Sequence, residues 1–210
     1  MTDSVQSTPV AAATVATWPL PTLRERSVEV SPFPYATMLR CLSPELGDRL
    51  LAWFESDAPW RLAQTDFYEQ YEFSCWDSPS PLAAFLTSRE VLDRVRAEMT
   101  EIFDRRFEDG VDVVCHRLLP TQKIGIHNDY LVGQETHRLT IQVNRGLTDA
   151  DGGVLMLFNS NDPNDIHKLF HPLSLSAFAF EISANSHHAV SQMYGSERFS
   201  VIYSFRVLAD

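Results

Sequence analysis

Beyond Gly110 the hydrophobic period of the chain changes from that of a helix to that of a strand, and this change constrains the fold more than any other feature. Strand-like runs cover residues 111–119, 123–127, 138–144, 154–158, 166–170, 176–182, 188–192 and 199–207. A period of two sends successive side chains to opposite faces, so each run can bury one face and turn the other elsewhere. Pro120, Gly133, Gly146, Gly152-Gly153, Pro163-Asn164, Pro172, Asn185 and Gly195 separate them. Eight short strands with turn residues between them predict a sandwich or closed barrel, because an open sheet would leave its edges unpaired.

Upstream the period is helical. Ser43-Pro44-Glu45 reads as a helix start, with a hydroxyl N-cap, proline at the first position and an acid in the first turn. Leu46, Leu50, Trp53 and Phe54 follow at helical spacing, and Pro59 ends the run. Residues 66–76 switch to a strand-like aromatic segment with Tyr71, Phe73 and Cys75 alternating. Thr87 or Ser88 opens a second helix whose stripe is Val91, Leu92, Val95, Met99, Ile102 and Phe103, and Gly110 is read as its end. Residues 1–30 have no such period and are expected to be a flexible tail until they meet the fold. The fold class expected is α+β, mainly β, with one domain over 31–210. Residues 43–106 supply helical support and 111–208 the β core.

Composition narrows the partners. The chain has 210 residues, a net charge of −11 and no dense Lys/Arg cluster, which argues against gripping a nucleic-acid backbone. No apolar run is long enough to span a bilayer. The small apolar stretch at residues 10–16 follows Asp3 and lacks the basic residues that open a secretory signal. Cys41, Cys75 and Cys115 are odd in number and far apart in sequence, which argues against a disulfide framework or a cysteine zinc site. A cytoplasmic setting is expected.

The chemistry-bearing residues lie in the β half. His127 and Asp129 form a His-x-Asp pair at the end of a run, and in a strand residues two apart face the same way. The His187-His188 pair lies on a later run that can pack opposite them. Two histidines and one carboxylate on one face of a metal leave three positions open, the facial arrangement of non-haem Fe(II) oxygenases. Two open positions suit a chelating 2-oxo acid and the third suits O2. Arg198 and Ser200 share a strand face, continued by Ile202. A guanidinium grips a carboxylate bidentately and a hydroxyl adds a further hydrogen bond.

At this point the sequence resembles the 2-oxoglutarate/Fe(II)-dependent dioxygenase superfamily, in its prolyl 4-hydroxylase-like branch. The resemblance covers residues 113–207. It rests on His127-Asn128-Asp129, the strand Arg138-Leu139-Thr140-Ile141-Gln142-Val143-Asn144, the turn Asp151-Gly152-Gly153-Val154-Leu155, His188-Ala189-Val190, and Gly195-Ser196-Glu197-Arg198-Phe199-Ser200. It implies a double-stranded β-helix (jelly roll) core backed by the N-terminal helices. It implies His127, Asp129 and His188 as iron ligands and catalytic centre, with Arg198 and Ser200 binding 2-oxoglutarate. The His-x-Val spacing and the ten-residue step to Arg198 select His188 over His187.

The activity so implied is hydroxylation of an unactivated C–H bond in a small molecule, amino acid or peptidyl substrate, with a role in biosynthetic tailoring. Fe(II), 2-oxoglutarate and O2 would be consumed or used, ascorbate would serve as reductant, and succinate and CO2 would leave. Desaturation, cyclisation or protein prolyl hydroxylation would use the same residues, and a non-catalytic jelly-roll binding module is the contrasting class. The presence of Asp129 favours oxygen transfer over halogenation. The family often carries a Tyr and a Gly ahead of the His-x-Asp pair, where this chain has Leu118, Leu119 and Thr121.

Other residues stay open. His116, His137, His167 and His171 are read as structural or exposed. Arg138 is a surface residue or approaches the pocket mouth. Phe67, Tyr68, Tyr71, Phe73 and Trp76 form core or a substrate-facing wall. Residues 130–137 form a lid or a plain hairpin connection.

Overall fold

A computed structural model describes residues 18–208. Two antiparallel sheets face each other as a double-stranded β-helix. The larger sheet has eight strands and begins in chain order with β1 (Arg26–Glu29), β2 (Tyr35–Met38), β3 (Arg61–Gln64), β4 (Glu69–Ser74), β5 (Asp112–Leu118) and, after β6 (Ile124–His127) has left for the smaller sheet, β7 (His137–Gln142). The chain continues with β8 (Leu155–Phe158), β9 (Ile166–Phe170), β10 (Ala177–Glu181), β11 (His188–Val190) and β12 (Arg198–Phe205). The larger sheet runs β1-β2-β10-β7-β12-β5-β4-β3 and the smaller β6-β11-β8-β9. All eight strand-like runs beyond Gly110 are strands.

The helices are α1 (Pro44–Ser56), α2 (Pro81–Leu86) and α3 (Arg89–Phe103). The Ser43 hydroxyl accepts from the Leu46 amide and the Ser88 hydroxyl from the Val91 amide, which satisfies amides that a helix start leaves free. Leu46, Leu50, Phe54, Val91, Val95 and Met99 are buried in one cluster with Phe199, Val201, Tyr203 and Phe205 of β12. The helices therefore cover the outer face of the larger sheet. Because β12 alternates, Arg198, Ser200 and Ile202 line a pocket on the inner face.

Three expectations need correction. Residues 18–30 are part of the fold: β1 pairs with β2, Leu23 is fully buried, and its amide donates to the Glu98 carboxylate on α3. The rest of the expected tail, residues 1–17, lies outside the described residues. Secondly, residues 26–74 contribute four strands to the larger sheet, at both of its ends, so the division into helical support and a later β core is too sharp. Thirdly, α3 ends at Phe103, where Asp104 takes a left-handed conformation (φ 52°), and not at Gly110. Aspartate tolerates that region better than most residues, so no glycine is needed to stop the helix there. No helix among the described residues is long and apolar enough to cross a membrane.

Candidate metal centre and anion pocket

The two histidines come from neighbouring strands. β11 pairs with β6 so that His188 stands directly opposite His127, and their ring centroids are 4.2 Å apart. They are thus side by side in one sheet, on opposed strands as expected, and directly opposed antiparallel residues bring their Cβ atoms to about 5 Å. Each Nδ1 meets a backbone carbonyl, Gly125 for His127 (2.9 Å) and Ser186 for His188 (2.7 Å). A proton on Nδ1 makes both contacts hydrogen bonds and leaves each Nε2 lone pair free for a metal.

Asp129 completes the trio, although not by strand geometry. β6 stops at His127, and Asp129 sits two residues beyond it with φ 57°. The turn is fastened by Asn128. Its side-chain oxygen accepts from the Tyr130 amide, its side-chain nitrogen donates to Ala184 O, and its carbonyl accepts from the Ser186 hydroxyl. These bonds tie the Asp129 turn to the loop that delivers His188. Asp129 Oδ1 lies 3.4 Å from His127 Nε2 and Oδ2 lies 3.2 Å from His188 Nε2. One ligand atom from each of the three residues falls within 4.8 Å of the others.

The electrostatics suit a cation. Burial alone would raise the Asp129 pKa, but the Arg138 charge and bonds from the two histidines hold it well below the usual carboxylate range. Burial pushes His188 down, against the opposing pull of Asp129, which favours the neutral ring that a metal requires. Phe67 stacks on His127 with centroids 4.7 Å apart, and the Gly125 amide donates to Phe67 O. The aromatic run thus divides: Phe67 and Tyr68 line the pocket while Phe73 is core and Trp76 is exposed.

The trio opens on a cavity of about 220 Å³. Strand register places Glu72, His116, Ser200 and Gln142 in one row across β4, β5, β12 and β7, and all four line the cavity. Arg198 lies one strand step along from Ser200 and is 6% exposed. Its Nε is buried without a hydrogen-bond partner, and no carboxylate among the described residues forms a salt bridge with it. Burial alone lowers its pKa to about 10, so it stays charged at neutral pH with no counter-charge beside it. A buried, unpaired guanidinium is costly unless an anion joins it. Gln70 Oε1, in the same cavity, is also buried and unpartnered. The site therefore fits both groups: an N2O donor set for iron and a cationic anchor for a 2-oxo acid's far carboxylate.

Sequence reasoning missed His116 here and left Arg138 open between the surface and the pocket mouth. His116 faces the cavity, and burial and the Arg138 and Arg198 charges hold it neutral at a pKa of about 3. Arg138 reaches Asp129. Thr121 adopts φ 79°, in the left-handed region that favours glycine. His187 lies outside the trio, partly buried, with Nδ1 unpartnered.

The fold and this pocket define a jelly-roll protein with a two-histidine, one-carboxylate centre. No family model matches the sequence, and no curated protein matches it. Solved structures do. A Pseudomonas putida prolyl-4-hydroxylase superposes with a TM-score of 0.67 at 17% identity, over 83% of this chain and 93% of that one. A Trichoplax adhaerens prolyl hydroxylase, solved with a hypoxia-inducible-factor peptide fragment, gives 0.67 at 10% identity over 81% and 83%. A 2OG-Fe(II) oxygenase family protein from Burkholderia pseudomallei gives 0.60 at 14% identity over 81% and 84%. At these identities the likeness establishes the fold, and the chemistry rests on the residues.

Proposed function

We propose that the protein is an Fe(II)- and 2-oxoglutarate-dependent oxygenase that hydroxylates an unactivated C–H bond. The observation that carries this reading is the pairing, in one cavity, of the His127/Asp129/His188 trio with the unpaired, buried Arg198 guanidinium. Iron held by the trio would supply O2 activation coupled to decarboxylation of 2-oxoglutarate to succinate and CO2. The chain's own residues bind and orient. Arg198 would take the cosubstrate's far carboxylate, Ser200 would add a neutral hydrogen bond, and Phe178, Phe180 and Ile202 would keep that end dry.

The substrate reading favours an amino acid or a peptidyl side chain. A cavity of about 220 Å³ is below the range of roughly 300–1,000 Å³ that encloses a drug-sized ligand. With a cosubstrate in its inner end, the cavity leaves space for one side chain entering at the mouth. Tyr130, Leu131 and Val132 are exposed directly after the Asp129 turn, an apolar surface that a peptidyl substrate could meet. The peptide bound to the Trichoplax protein is consistent with this reading. Biosynthetic tailoring is the role we assign to such a reaction.

Succinate release from 2-oxoglutarate in the presence of Fe(II), O2 and ascorbate tests the reading without the substrate in hand. Turnover above that of His188→Ala supports it. Equal, background turnover by both proteins supports a non-catalytic binding module instead.

A further inference from the structure

We propose that Arg138 and Glu135 form a charge-balanced clamp that holds Asp129 as a one-oxygen metal ligand. The inference rests on the metal-centre reading above. Arg138 is on β7, in the larger sheet, facing the trio across the cavity. Its Nη1 donates to Asp129 Oδ2 at 2.6 Å. Its Nε donates to Glu135 Oε2 at 3.3 Å, and its Nη2 to Glu135 Oε1. The three side chains are 19%, 14% and 18% exposed, so the guanidinium, with a carboxylate on either side, is largely removed from water.

Two physical needs explain the pair. The first is orientation. A carboxylate can bind a metal through one oxygen or two, and Asp129 lies on left-handed backbone beyond the end of β6, with no ladder bond to set its direction. Arg138 sits within the β7 ladder, paired to Phe180 and Ser204, and its planar guanidinium is a rigid donor. Holding Oδ2 leaves one oxygen for the metal and keeps a further position open for cosubstrate or O2. The second need is charge. Arg138 alone would cancel the negative charge of Asp129 and weaken the pull on a divalent cation. Glu135 restores it, so the three groups together carry the single negative charge that Asp129 would bring alone. Glu135 closes the loop that follows the ligands, so the clamp also ties that loop to the centre.

Co(II) titration with visible spectroscopy, followed by 2-oxoglutarate titration of the Co(II) protein, tests the clamp without any turnover. Glu135→Gln leaves the cation uncompensated and should weaken Co(II) binding about tenfold, within the range for outer-shell partners, while keeping the wild-type spectrum. Arg138→Gln frees the carboxylate to take a second position. It should alter the Co(II) spectrum and weaken 2-oxoglutarate binding about tenfold, although Arg198 is untouched. The double variant should recover most of the Co(II) affinity lost in Glu135→Gln, since charge is again balanced, and keep the altered spectrum. Arg138→Lys keeps a cation but not the fork, and should retain Co(II) affinity with an intermediate spectrum. It also serves if Arg138→Gln does not fold, as judged by melting of the metal-free proteins. Wild-type spectra and affinities in all variants, or additive losses in the double variant, would overturn the clamp. Failure of wild type itself to bind Co(II) would instead overturn the metal-centre reading, and the clamp with it.

Discussion

His127 and His188 are direct cross-strand partners in the smaller sheet, with ring centroids 4.2 Å apart and each Nδ1 on a backbone carbonyl. The pair is set by ladder register and by the two Nδ1 contacts. His127→Ala, Asp129→Ala or His188→Ala should each lower Fe(II) affinity by more than the roughly 100-fold upper range seen for outer-shell losses. His187→Ala, one residue outside the pair, should lower it by far less. Iron titration of the four variants checks the assignment. Loss in His187→Ala with retention in His188→Ala would move the ligand by one residue.

The anchor should read out on cosubstrate alone. A hydrogen bond to a charged group contributes about 1.5–3 kcal/mol and a neutral one about 0.5–1.5 kcal/mol. Arg198→Ala should therefore raise the 2-oxoglutarate KM about tenfold to a hundredfold or more, and Ser200→Ala by a smaller factor. Arg198→Lys should recover part of the loss, since an ammonium cannot pair bidentately. Iron affinity should change little in all three.

Gly153 gives Arg198 its room. Its φ is 69°, and a Cβ there would lie 3.1 Å from Arg198 Cδ and closer still to Met193 Sδ. Gly153→Ala should cost about 1–3 kcal/mol from backbone strain and should also raise the 2-oxoglutarate KM. Chemical denaturation and steady-state kinetics on one preparation measure both. A stability loss with an unchanged KM would show that Gly153 matters to the turn alone.

His137 sets an acid limb in stability. It is buried between Phe103 and Phe107, and burial, followed by the Arg105 charge, lowers its pKa to about 4. The unfolded chain binds this proton near pH 6.5 and the folded chain does not until about pH 4. Stability should thus fall as pH drops through that window, by up to about 3 kcal/mol from this group, and level off for it below. His137→Leu should flatten the slope between pH 6.5 and 4. An unchanged slope in denaturant melts would place the proton elsewhere.

What the sequence made legible follows physical lines. The eight later strands were readable because period two and turn residues act locally. Strand β2 was not, since Tyr35, Ala36 and Met38 are all buried and show no alternation. Ser80-Pro81 carries the same start signal as Ser43-Pro44, and α2 went unread because its six residues are too few to show a period. His127, Asp129, His188, Arg198 and Ser200 were legible as motif positions. The role of Arg138 was not, because it depends on a bend at Asp129 that no spacing encodes. Sequence distance also hides a contact: Cys75 and Cys115, 40 residues apart, meet with sulfurs 3.4 Å apart as free thiols.

Anaerobic titration of 2-oxoglutarate into the Fe(II) protein, followed by its visible charge-transfer absorption, tests the central claim most directly. The account predicts a saturable band in wild type, the same band at much higher 2-oxoglutarate in Arg198→Ala, and none in His188→Ala. Absence of the band in wild type, or an undiminished band in His188→Ala, would contradict it.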